Sequence, residues 1–174
     1  GIAYGNEVKI FDENFNEVER NSIGQICVRG KNVMKEYYKN PIETKKSFHD
    51  DWLLTGDLGL MDSDNFVFVK GRIKELIIKG GENISPREID DVLYQHPDIL
   101  EAAAFADDCT HYGETVKAGV VLKNKDSVSE KDLIEHCSKI LGKFKSPDNI
   151  YFFDELPKGS SGKIQRLKIK DQIK

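Results

Sequence analysis

Hydrophobic and polar residues alternate through "EVKIF", residues 7–11, and through "GQICVRG", residues 24–30. A period of two sends successive side chains to opposite faces, so both stretches read as half-buried strands, with "DENFNE" as the turn after the first. "FVFVKG", residues 66–71, follows the turn-forming "DSDN" and is the clearest strand signal in the chain. "NPIETKKSF" reads as a short helix with Pro41 in its first turn, where a missing N–H costs nothing. In "LLTGDLG", residues 53–59, Thr55, Gly56 and Asp57 read as a tight polar break between apolar segments. The chain up to about Arg72 is therefore expected to be mostly β.

Beyond Arg72 the pattern changes. "ELIIK" reads as a short strand. "SPREIDDVLYQ" opens with Ser85 as N-cap, Pro86 at the first helical position and Glu88 three residues on, the arrangement of a capping box. Its Ile89, Val92 and Leu93 share one helical face. "ILEAAAFA" and "TVKAGVVL" read as strands. "SEKDLIEHCSKILG" reads as a second helix, capped by Ser129 and Gly142, with Leu133, Ile134, Cys137 and Ile140 or Leu141 inward. "IYFF" is a last strand before a Gly/Ser loop. The fold class expected is α+β, with a β-rich first part followed by a small α+β domain, a small sheet flanked by helices. The boundary falls at residues 72–75, giving parts 1–73 and 74–174.

Composition narrows the function. A formal net charge of −4 over 174 residues argues against a general nucleic-acid or anionic-membrane binder. No apolar run approaches the ~18 residues of a spanning helix. The opening "GIAYGNEVKIF" lacks the basic and apolar regions of a signal peptide. It also starts at Gly1 inside a strand-like run, so the chain is expected to be cut from a longer protein. Cys27, Cys109 and Cys137 are odd in number and widely spaced, which fits a reducing, cytoplasmic setting. Cys27 and Cys137 fall in apolar patterns and read as core residues. His49, His96, His111 and His136 are scattered without metal-ligand spacing, so no metal site is expected.

Three stretches carry candidate chemistry. "LPKGSSGKIQR" places Lys163 after a Gly/Ser run; it departs from a P-loop because Pro157 holds the first glycine position and Ile164 follows the lysine. Residues 158–174 carry six basic side chains (Lys158, Lys163, Arg166, Lys168, Lys170 and Lys174) against Asp171 alone, so a solvated basic tail is the bland alternative. Asp57 is either a turn residue or a carboxylate that accepts hydrogen bonds from a ribose diol. Gly80 and Gly81, ahead of the Ser85 cap, permit left-handed backbone or close approach of a ligand, and Arg72 and Lys74 flank the boundary.

Taken in order, "TGDLG", "GRIKELIIKGGENISPREID" and "DELPKGSSGKIQR" resemble the adenylate-forming superfamily: acyl-CoA synthetases, coumarate-CoA ligases, luciferases and the adenylation domains of peptide synthetases. "GGENISPREI", followed by "HPDILEAAAF", is most similar to the coumarate-CoA and fatty-acid-CoA ligase branch. The resemblance spans essentially the whole chain. It implies the β-rich end of a large N-terminal AMP-binding domain, then the complete mobile C-terminal domain. It implies an AMP-forming acid-thiol ligase that uses ATP, Mg²⁺ and CoA, with a carboxylic acid as substrate and a place in fatty acid metabolism. The phosphate-cradling loop and the main Mg²⁺ ligand belong to the missing N-terminal domain, which is the implied partner, so the fragment alone is expected to be inactive. By resemblance Asp57 and Arg72 hold the nucleotide, Lys74 is the hinge, Gly80 and Gly81 line the passage for CoA, and Lys163 is catalytic. Gly159 stands where that family usually has Thr, and the lysine keeps its register. Two other readings stand beside this one: an adenylation module that loads a carrier protein, and a non-catalytic binding module.

Overall fold

The computed structural model describes residues 1–125 and 127–173. Lys174, the last of the basic tail residues, lies outside the described residues. The chain divides into two compact units, Gly1–Lys74 and Glu75–Lys174.

The first unit is an antiparallel sheet. Strands β1 (Glu7–Phe11), β2 (Gly24–Arg29) and β4 (Trp52–Met61) pair in that order, and β3 (Phe48–His49) and β5 (Val67–Arg72) pair with β4. The turn after β1 is held by Asp12, whose carboxylate accepts from the N–H groups of Asn14 and Asn16 at 2.8 and 2.9 Å. Helix α1 (Pro41–Lys46) starts as its sequence predicts, with Pro41 in the first turn and the Asn40 side chain accepting from the Glu43 N–H. Ile10, Ile26 and Met61 are buried, with Val8, Val18 and Val67 packed against them.

One expectation is overturned in this unit. Thr55–Asp57 do not interrupt the sheet but lie inside the ten-residue strand β4. Cys27 pairs with Leu54 and Gln25 with Leu58, so Thr55, Gly56 and Asp57 together stand opposite Ile26. The extra residues form a β-bulge, which spoils the alternation that marks a strand.

The second unit holds a mixed sheet. Strand β8 (Ile99–Cys109) pairs antiparallel with β9 (Gly113–Leu122) along nearly its full length. On its other edge β9 meets β10 (Asn149–Phe152), in parallel, and β6 (Ile77–Lys79), which continues to β7 (Glu82–Ile84). Helices α2 (Pro86–Leu93) and α3 (Glu130–Leu141) cover one face. Ile89, Val92 and Leu93 of α2 and Leu133 and Cys137 of α3 are buried against Ala102, Ala104, Val116, Ala118 and Val120. Leu141 packs against this cluster, whereas Ile140 is exposed. Burial pushes the Cys27 and Cys137 thiols up to about 11, as their apolar contexts predict. The capping box does not form: the Ser85 side chain makes no cap hydrogen bond, and Glu88 instead accepts from Lys145 at 3.0 Å.

The opposite face is covered by the chain's own tail. Leu156 and Ile169 are buried there with Ala103, Phe105 and Val121, and Ile164 and Ile173 pack against them. Ile169 sits between two short 3-10 turns, Arg166–Lys168 and Lys170–Gln172, and Ile173 follows the second. Gly119 is the point of closest approach: a Cβ there would stand 3.0 Å from Leu156 and Phe153 and 3.1 Å from Ile169. The tail is therefore a packed layer and not a solvated arm, because it hides isoleucines among its lysines.

Candidate functional site

The bulge in β4 shapes the first candidate group. The Thr55 hydroxyl donates to the Ile26 carbonyl at 2.7 Å and accepts from the Asp57 N–H at 3.0 Å, while Gly56 adopts φ +74°. This pins the backbone of Asp57 within the bulge. Asp57 pairs in register with Arg72 on β5, and the Arg72 Nε lies 3.2 Å from the Asp57 Oδ1. The carboxylate is half-buried and Arg72 is exposed. The structure therefore brings together the two residues assigned to the nucleotide. Thr55 is a positioning side chain that the sequence reading left without a role.

Lys74 is exposed in a 3-10 turn, Ile73–Glu75, and the division between the two units falls directly after it. Arg72 and Lys74 are thus close in sequence and attached to different elements.

Gly80 and Gly81 form the two-residue turn between β6 and β7, closed by the pairing of Lys79 with Glu82. Both have positive φ, +58° and +85°, which a two-residue hairpin turn of this hand requires at both positions. Gly80 lies against Tyr112: its N–H donates to the Tyr112 carbonyl at 2.9 Å, and an added Cβ would stand 3.2 Å from the ring. Gly81 faces open space. The turn is set by Lys79, which is almost wholly buried, pairs with Asp148 at 3.2 Å and sits over the rings of Tyr112 and Phe144. The sequence reading missed Lys79, although a signal was present: it is two residues from the core residue Ile77, on the same face of the strand.

Lys163 lies on a closed hairpin, not on a free stalk. Lys158 and Ile164 form an antiparallel bridge. The Gly159 N–H donates to the Lys163 carbonyl, the Gly162 N–H to Gly159 and the Gln165 N–H to Pro157, at 2.7–2.9 Å. The Lys163 side chain is exposed, and its ammonium has no ion-pair partner among the described residues. Three of its basic neighbours are engaged. Lys158 pairs with Glu101 at 2.6 Å, and Lys170 pairs with Asp107 at 2.8 Å and Asp108 at 2.6 Å. Arg166 pairs with Asp90 at 2.6 Å and Glu75 at 3.1 Å. Asp107 also meets Lys117 at 2.5 Å, and the hydrogen bonds from Lys117 and then Lys170 hold its carboxyl at about 2. Gly159 leaves room that the Gln165 side chain occupies, so the closure of the hairpin does not depend on the Thr usual in the resembled family.

Among the described residues no group of three His, Cys, Asp or Glu side chains is placed to hold a metal ion. His96 and His136 make an edge-to-face ring contact, 5.5 Å between centroids, and the His136 Nε2 is 3.1 Å from the Val92 carbonyl. No helix among the described residues is long and apolar enough to cross a membrane.

Residues 88–163 match the family model described as the AMP-binding enzyme C-terminal domain. The chain is 44% identical, over 97% of its length, to a sulfoacetate–CoA ligase of Cupriavidus necator, of which it covers 33%. It is 43% identical, over 95% of its length, to an oxalate–CoA ligase of Arabidopsis thaliana, of which it covers 32%. The ATP-bound crystal structure of MatB from Rhodopseudomonas palustris superposes with a TM-score of 0.93 at 34% identity, covering 99% of this chain and 35% of that one. The chain thus spans about a third of the length of the curated relatives it matches.

Proposed function

We propose, from the match of residues 88–163 to the AMP-binding enzyme C-terminal domain, that the chain is a C-terminal portion of an ATP-dependent, AMP-forming acyl-CoA synthetase. In this reading unit Gly1–Lys74 ends the large AMP-binding domain and unit Glu75–Lys174 is the mobile domain, turning at Lys74. The large domain is its partner. A carboxylate attacks the α-phosphate of ATP to give acyl-AMP and pyrophosphate, and the thiol of CoA then displaces AMP.

Each candidate residue has a physical task in that scheme. Asp57 accepts hydrogen bonds from the ribose hydroxyls, and Arg72, 3.2 Å away, orients it. Lys163 meets two anions at once, the carboxylate and the α-phosphate. A cation aimed at both lowers their repulsion and stabilises the charge of the transition state. Gly80 and Gly81 leave the narrow backbone that a pantetheine arm needs to pass. Mg²⁺ bound with ATP would screen the phosphates, and by the family resemblance its main ligand belongs to the large domain.

The observation that carries this reading is the base of Lys163: an exposed ammonium stands on a hairpin that closes through its own backbone hydrogen bonds and is anchored at both stems, by the Lys158–Glu101 and Arg166–Asp90 pairs. A solvated tail would need neither the closed hairpin nor the two anchored stems. The branch resemblance makes a fatty or aromatic carboxylic acid the proposed substrate. The free cysteines Cys27, Cys109 and Cys137 support a reducing compartment, the cytoplasm in our reading.

The test is turnover by the full-length protein with ATP and a panel of carboxylic acids that includes short polar ones. We expect AMP and pyrophosphate, with thioester formed only when CoA is added. Formation of ADP and phosphate overturns the reading, and acyl transfer to a phosphopantetheinylated carrier protein but not to CoA replaces it with the carrier-loading alternative. The isolated fragment is expected to show no turnover.

A further inference from the structure

Arg166 follows Lys163 by three residues and is one of the most completely engaged side chains in the second unit. Its side chain is only 14% exposed, and that of Asp90 11%. The guanidinium meets Asp90 at two points, 3.2 and 2.6 Å. Both partners also grip one residue in the middle of β8: the Ala104 N–H donates to the Asp90 carboxylate at 2.6 Å, and Arg166 donates to the Ala104 carbonyl. The remaining edge, Nε, donates to Glu75 at 3.1 Å. Burial pushes the Asp90 carboxyl up, and Arg166 with the Ala104 N–H pulls it back. Burial also works against the Arg166 charge, but the pairing with Asp90 and then Glu75 outweighs it and raises the guanidinium above its ordinary value.

A buried ion pair of this kind is weak evidence for stability, because desolvation consumes most of the Coulomb gain. Its geometry is more informative. The forked guanidinium fixes direction as well as distance, which a lysine cannot do. The three partners of Arg166 come from three places: α2, the centre of β8 and the residue directly after Lys74. On the other stem of the hairpin, Lys158 is held by Glu101. Between Lys163 and Arg166, Ile164 packs into the second apolar cluster. The Lys163 side chain itself is exposed.

We infer that Arg166, locked by Asp90 and Glu75, is a positioning residue for Lys163: it ties the base of the lysine hairpin to the residue beside the hinge, so that rotation carries the ammonium as part of a rigid body. This rests on the reading of Lys163 as the catalytic cation. Placement within about 1 Å is worth up to about a hundredfold in rate, so the tie matters to adenylation and not to the thiol step, in which Lys163 has no part.

The experiment uses the full-length enzyme with Arg166→Lys, Asp90→Asn, Lys163→Ala and the double variant Lys163→Ala/Arg166→Lys. Adenylation is read by pyrophosphate exchange, and thioester formation from supplied acyl-AMP. For Arg166→Lys and Asp90→Asn we expect the adenylation kcat to fall about ten- to a hundredfold, with the KM for ATP and the thioester step within about twofold of wild type. The double variant should be no slower than Lys163→Ala alone, since residues that act as one unit are not additive. Equal loss in both half-reactions, or additive loss in the double variant, makes Arg166 merely structural and overturns the proposal. If Lys163→Ala is itself undiminished, the catalytic reading of Lys163 fails and the inference with it. If Lys163→Ala is slow and Arg166→Lys is not, only the inference fails. Should Arg166→Lys and Asp90→Asn not fold, Glu75→Gln leaves the Asp90 pair intact and must show the same selective loss; an unchanged adenylation rate in that variant overturns the proposal.

Discussion

Asp57 and Arg72 stand opposite each other on adjacent antiparallel strands, carboxylate to guanidinium at 3.2 Å, with the Asp57 backbone pinned by the Thr55 hydroxyl. A turn residue would need neither restraint. In the full-length enzyme Asp57→Ala is expected to weaken ATP and AMP binding by roughly ten- to a hundredfold, the ~1.5–3 kcal/mol of a charge-assisted acceptor. Calorimetry with AMP decides it, and unchanged affinity returns Asp57 to a structural role in the bulge.

Thr55→Val tests the same pair from the side. It removes the hydroxyl that bonds to the Ile26 carbonyl and the Asp57 N–H while keeping the shape of the side chain. AMP affinity should fall by about three- to tenfold, on the order of one net hydrogen bond. Affinity equal to wild type would mean that the bulge holds Asp57 without Thr55.

These details divide what the sequence could reveal from what it could not. The alternation in "EVKIF" and the 3.6-residue spacing of Ile89, Val92 and Leu93 belong to single elements, so the strand and the helix they predict both form. Residues 55–57 misled because a bulge breaks the period of two without ending the strand. The packing of the tail was hidden for a related reason: Leu156, Ile164 and Ile169 lie outside any helix or strand, where there is no long-range period to read. Lysines dominate that stretch, and the isoleucines among them were the signal. The tie between Asp90 and Arg166 joins residues 76 positions apart, and no local pattern announces such a pair. Asp57, Arg72 and Lys163 are proposed through the order of motifs, a resemblance and not a derivation; the structure adds the pairing of the first two and the closed hairpin under the third.

The packed tail makes a stability prediction. Ile169 is fully buried against Ala103, Phe105, Val121 and Leu156. Ile169→Ala should cost about 2–5 kcal/mol and lower the unfolding midpoint in urea. Lys168→Ala, one residue away on an exposed side chain, should be nearly neutral. If the two variants denature alike, the tail is not part of the core of this unit.

Asp107 provides a pH test. Its carboxyl is held at about 2 by Lys117 and Lys170, below its ordinary 3.8. A carboxyl depressed by folding adds stability that is present above its unfolded value and lost as pH falls through the folded one. The contribution should therefore be complete above about pH 5 and fade between about pH 4 and pH 2. Asp107→Asn is expected to melt a few degrees below wild type at pH 7, the scale of a partly exposed ion pair, with the gap closing near pH 2. A gap that is the same at both pH values would show that the aspartate contributes through packing and not through its charge.

The hinge makes a kinetic prediction. Lys74 lies in a 3-10 turn at the division of the two units. Proline fixes φ near about −65° and removes the N–H. Lys74→Pro in the full-length enzyme should therefore favour one rotational state and slow the two half-reactions unequally, while Lys74→Ala leaves their ratio unchanged. Equal slowing of both steps by Lys74→Pro sinks the hinge assignment.

Lys163 carries the sharpest test. Its ammonium is exposed and unpaired among the described residues, and the hairpin beneath it closes through backbone hydrogen bonds that do not involve its side chain. Lys163→Ala should therefore leave the fold and the melting temperature unchanged. On the proposed reading the variant loses, in the first half-reaction, the cation that faces both the carboxylate and the α-phosphate. Removing one such donor from a site of this kind costs roughly 10²–10³-fold in rate. Pyrophosphate exchange should fall by that factor. Thioester formation from supplied acyl-AMP should stay within about threefold of wild type, because the attacking thiol has no use for a second cation at the phosphate. A solvated tail lysine would leave both steps untouched, and a structural lysine would damage both together with the melting temperature. Loss confined to the first step, in a variant that melts like wild type, is the outcome that only a mobile catalytic cation produces.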